Sequence, residues 1–137
     1  MAETFSKEER AAMREAARER KLKQTRAESL AATLERIESM APSDRELAMA
    51  VHKLALAAYP DFEVKTWYGM PAYYKDGKVV VFFQDGGKFQ SRYCTLGFQD
   101  SAKLDDGSLW ATSFAMTAVD KKVSAEITAL IKRAVGL

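Results

Sequence analysis

Two strand-like runs, Ala72–Tyr74 and Val79–Gln84, stand on either side of an Asp76-Gly77 dipeptide. Asp-Gly between such runs is a strong signal for a two-residue hairpin, because both central positions of that turn need φ above zero. The chain must therefore build an antiparallel sheet. A first strand, Glu63–Tyr68, comes just before. The Gly69-Met70-Pro71 interruption withdraws a ladder donor and marks an edge or a bulge, after which the strand resumes at Ala72. "QDGGKF" turns the chain into Phe89–Leu96, and "DSAKLDDG" leads to a fifth strand, Ser108–Met116. There Trp110, Thr112, Phe114 and Met116 alternate with Leu109, Ala111, Ser113 and Ala115, so both faces of the sheet are in play.

Helices flank this block. Ser6 and Glu9 have capping-box spacing and open a charged helix over Ser6–Lys23 whose apolar residues are mostly alanines. With little to bury, it is expected to project as an arm. Thr25-Arg26 marks a faint break before a second helix, Ala27–Met40, with Leu30, Leu34 and Ile37 on one face. Ser43 as cap, with Glu46 three positions on, starts a third helix, which Pro60 ends. Its stripe is Leu47, Val51, Leu54 and Ala58, with His52 beside it. A last amphipathic helix, Asp120–Val135, turns Val123, Ile127, Leu130, Ile131 and Ala134 inward and stops at Gly136. The expected fold is two-layer α+β. An antiparallel sheet of about five strands packs with two preceding helices and a C-terminal helix in residues 27–137, and residues 1–26 form the charged arm.

With 47% apolar and 29% charged residues, the chain has the composition of one ordered globular domain. A net charge of +2 supplies no protein-wide field for nucleic acid, so polyanion binding would need a local cluster. Arg10, Arg14, Arg18 and Lys21 form such a ridge on one side of the first helix, opposite Glu8, Glu15 and Glu19. The ordinary reading of a ridge like this is a solvated face. No apolar run approaches the length of a membrane span, and no apolar leader precedes a cleavage site, so the expected compartment is the cytoplasm.

One cysteine and one histidine cannot furnish a structural zinc site, and Cys94 and His52 lack the flanking motif of a catalytic pair. The expectation leans away from an enzyme. Asp100, Asp105 and Asp106 are the one oxygen cluster that could hold iron, although aspartates beside Ser101 and Gly107 also suit turns. The aromatic block is the better candidate. Trp67, Tyr68 and Tyr73 carry polar handles suited to half-wet positions, and Lys88 and Arg92 come from a segment that can neighbour them. With Met70 and Pro71 they make an aromatic and basic sheet surface for a small anion, a planar ring or a protein partner.

"WYGMPAYYKDGKVVVFFQ", "KFQSRYCTLGF" and "LDDGSLWATSFAM" together resemble the YdhG-like domain family, small bacterial proteins mostly of unknown function. Tyr68-Gly69-Met70-Pro71-Ala72 matches that family's most recognisable signature, and the likeness runs from about Ala27 to the carboxyl end. The resemblance implies helices packed on an antiparallel sheet. It also implies, for some members, an iron-chaperone or frataxin-like role, which would depend on an acidic helical ridge. Here 21 Lys and Arg offset 19 Asp and Glu, and no such ridge is visible.

Overall fold

Helix α1 runs unbroken over Lys7–Glu38 in the computed structural model, which describes residues 5–137. The capping expectation holds at its start, where Ser6 Oγ accepts from the Glu9 amide at 3.0 Å. The expected break at Thr25-Arg26 does not occur. Thr25 Oγ1 donates back to the Lys21 carbonyl at 2.9 Å, and Gln24 reaches Glu28, so the polar groups that would favour a turn are satisfied inside the helix. Arm and first domain helix are thus one rod. Only its C-terminal part, with Thr33 and Ile37 buried, packs on the rest.

Deleting the chain up to Arg20 should therefore remove helical signal while changing domain stability by no more than about 0.5 kcal/mol. Circular dichroism followed through urea unfolding checks this.

Helix α2 covers Pro42–Ala58. It starts two residues earlier than the Ser43 cap predicts, because Pro42, which has no amide to satisfy and a fixed φ, takes the first helical position and Ala41 the cap. Five strands follow: β1 Glu63–Trp67, β2 Met70–Lys75, β3 Lys78–Gln84, β4 Cys94–Phe98 and β5 Ser113–Met116. They form one antiparallel sheet in the order β1-β2-β3-β4-β5. Helix α3, Lys121–Ala134, is capped by the Asp120 carboxylate and closed by Gly136 and Leu137 amides donating back to the Arg133 and Lys132 carbonyls. The α+β architecture follows as read. The fourth and fifth strands are shorter than expected, since Phe89–Tyr93 belongs to a turn-rich loop and Ser108–Thr112 approaches β4 only through the Thr112 carbonyl.

Register separates the two faces. Val64, Tyr73, Val81 and Phe98 align across four strands and point inward. They share one core with Ile37 of α1, Leu47 and Val51 of α2, and Ile127 and Ile131 of α3. All three helices therefore cover the same side. Lys65, Ala72, Phe82, Gly97 and Ser113 align on the outer side, where Phe82 lies over Gly97 so closely that a Cβ there would run into its ring. Trp67 stacks beside Phe82 at 5.3 Å, and Lys65 Nζ stands 4.5 Å from the Tyr74 ring centre. The outer face carries aromatic rings and no helix among the described residues.

Candidate functional site

Gly69-Met70-Pro71 does not bulge a single strand. The chain reverses at Tyr68-Gly69, pairing Trp67 with Met70 and Thr66 with Pro71. Both turn residues have positive φ, +50° and +75°, as do Asp76 and Gly77 in the next hairpin, at +52° and +77°. Two tight turns of the same kind therefore bracket β2. The sequence reading missed the first because Tyr-Gly is not a usual pair for such a turn: Asn, Asp and Gly tolerate the left-handed conformation, and a bulky ring does so at a cost. The irregularity lies instead at Tyr73/Tyr74, where β2 slips against β3.

The turn is gripped from behind by Arg36, in the last turn of α1. Its Nε donates to the Gly69 carbonyl at 2.9 Å, one terminal nitrogen donates to Asp85 Oδ1 at 2.9 Å, and the other to Ser39 Oγ at 3.2 Å. All three nitrogens are engaged. Asp85 is buried just after β3, and Arg36 is largely covered, so this pair sits where solvent screens it little. In front of the turn, Lys88 Nζ stands where a Cβ of Gly69 would be. Tyr68 meanwhile projects with 81% of its surface exposed, touching Trp67 edge-on at 5.1 Å.

A second connection steadies the same loop. Asp44, in the first turn of α2, accepts from the Gly87 amide at 2.9 Å and from the Cys94 thiol at 3.2 Å. Burial, together with the nearby Asp44 and Asp85 carboxylates, pushes the Cys94 thiol up to about 11. Both effects favour the protonated thiol, which donates to Asp44. At mild alkaline pH, Cys94 should react with a disulfide reagent at least about tenfold more slowly in native protein than in urea. Equal rates would contradict the buried bond to Asp44.

The seven predicted binding residues divide. Trp67, Tyr68 and Lys88 gather at the turn, with Met70 buried at its base. Arg92 is exposed and lies against Tyr93, 5.4 Å from its ring centre. Tyr73 and Pro71 are corrections: both are buried on the inner face, because a two-residue turn sends alternate residues of β2 into the core. Tyr73 Oη meets His52 Nδ1 at 3.0 Å, so both act as structural core groups. None of five hollows of about 220 to 450 Å³ is lined by any of the seven. The Tyr68-Gly69 turn stands out from the sheet as a knuckle.

Among the described residues no cluster of three or more His, Cys, Asp or Glu side chains could hold a metal ion. Asp100, Asp105 and Asp106 are exposed and do not converge, since they serve the connection between β4 and β5. Arg10, Arg14, Arg18 and Lys21 lie on the exposed length of α1, where Arg18 pairs with Glu15 at 3.1 Å. Among the described residues no helix is long and apolar enough to cross a membrane. Compared with models of known families, with curated proteins and with solved structures, the chain matches none of them.

Proposed function

We propose that this chain is a non-enzymatic binding module that engages a protein partner through the knuckle formed by Trp67, Tyr68 and Lys88. The observation that carries this reading is Tyr68. A bulky aromatic residue held at φ +50° and 81% exposed helps neither the turn nor the core. Strain of this kind persists only where the surroundings impose it, and here Arg36 fixes the carbonyl next door. An exposed aromatic ring on a turn whose backbone Arg36 holds, with the Lys88 ammonium beside it, has less conformational freedom to lose on binding, as interface anchors do.

The convex shape favours a protein or peptide over a small molecule, which needs a concavity to bury most of its surface. Peptides selected from a random library on the immobilised protein test this when titrated into isotope-labelled protein and followed by NMR. The expected shifts centre on Trp67, Tyr68, Gly69 and Lys88. Shifts confined to the hollow between β5 and α3, or to the helical arm, would refute the reading.

A further inference from the structure

The two edges of the sheet are finished differently. Strand β1 has α1 alongside it: Arg26 and Leu30 border hollows against Glu63 and Val64, and farther on Arg36 reaches Gly69. That edge is covered and charged, as edges of solitary sheets usually are. Strand β5 has neither protection. Gly107 to Val119 contains no charged residue, and within it Leu109 is 89% and Trp110 38% exposed. Its backbone is also open on one side. Phe98 N donates to Thr112 O, and the pairs Leu96↔Phe114 and Cys94↔Met116 continue that phase, so Ser113 and Ala115 aim their amides and carbonyls away from the sheet.

We infer that β5 is the interface for a second copy of this chain, the two strands pairing antiparallel across a two-fold axis at Phe114. Ser113 of each copy then exchanges backbone hydrogen bonds with Ala115 of the other, and the sheet continues through both molecules. Three features of the chain fit this occupant. The uncharged run opposes no like charges when paired with itself. It is flanked by exposed Asp105 and Asp106 on one side and, past the capping Asp120, by exposed Lys121 and Lys122 on the other, so antiparallel pairing sets the net acidic flank of one copy beside the net basic flank of the other. Continued beyond β5, the same pairing would bring the second copy's Leu109 and Trp110 toward Ala118, at the mouth of a hollow of about 330 Å³ that Phe114, Met116, Val123, Ile127 and Leu130 line. This interface lies at the opposite edge of the sheet from the Tyr68 knuckle and does not depend on it.

Sedimentation velocity of the full chain over a range of concentrations tests the inference. A dimer of the 15.3 kDa chain is expected, weakened about tenfold or more by Ala115→Pro, which removes an outward amide and leaves the β4 ladder intact, and likewise by Ser113→Lys. Circular dichroism confirms that each variant is folded. Reversing Asp105 and Asp106 to Lys should also weaken association, and adding Lys121→Asp and Lys122→Asp should restore it. A monomer at every concentration overturns the inference. So does a dimer that withstands both edge substitutions, or one lost only when the α1 arm is deleted.

Discussion

Asp85→Ala is expected to destabilise the protein by about 2–4 kcal/mol, because it strands a largely buried guanidinium. Arg36 links three elements: α1 through Ser39, the Tyr68-Gly69 turn through the Gly69 carbonyl, and the end of β3 through Asp85. Removing the carboxylate leaves the cation covered and without its counter-charge. Asp85→Asn keeps an acceptor in the same place and should cost about half as much. The control is Glu15→Ala, which removes the exposed pair to Arg18 on α1, and it should change stability by less than about 1 kcal/mol. Urea unfolding of the three variants side by side measures the contrast. Equal, small effects would mean that Arg36 does not tie the turn to the domain.

Tyr73→Phe is expected to cost about 1–3 kcal/mol, since it leaves His52 Nδ1 without a partner in a buried site. The pair also predicts two pH limits. Burial, helped by Lys53, lowers the His52 pKa below its ordinary 6.5, so the unfolded chain binds the proton first as acid is added. That contribution is complete above pH 6.5 and is lost as pH falls below it. Burial raises the Tyr73 pKa above its ordinary 10.0, so its contribution is complete below pH 10.0 and is lost as pH rises past it. Tyr73→Phe should abolish the alkaline loss belonging to this phenol. Unfolding measured on both sides of each limit checks the signs, and wild-type stability that does not fall between pH 6.5 and mild acid would count against the buried imidazole.

The contrast between residues 76 and 68 explains how far the sequence could be read. Asp76-Gly77 announces its turn because both residue types suit positive φ, and the hairpin stands where the pattern predicts it. Tyr68-Gly69 makes the same turn without the usual first residue, so Pro71 drew the eye and the break read as a bulge. Tyr73 was expected half-wet because of its hydroxyl, which His52 satisfies inside the core instead. The amphipathic stripes of α2 and α3 were legible because burial repeats with the helical period, whereas the continuity of α1 depends on Thr25 bonding back to Lys21, which spacing does not reveal. Arg36, Asp44 and Asp85 were missed for another reason. Each is a charged residue of ordinary local context, and only the tertiary approach of α1, α2 and the β3–β4 loop makes it a partner of the turn.

If Tyr68 is kept for binding and not for folding, exchanging it for the residue its backbone prefers should separate the two. Tyr68→Asn restores the favoured Asn-Gly turn, and the protein should become more stable by up to about 1 kcal/mol. Its affinity for a peptide selected on the wild type should fall about thirtyfold or more, the loss of one interface anchor. Stability and affinity measured together on this one variant decide the matter. A variant that is more stable yet binds as tightly as wild type would contradict the role assigned to the knuckle.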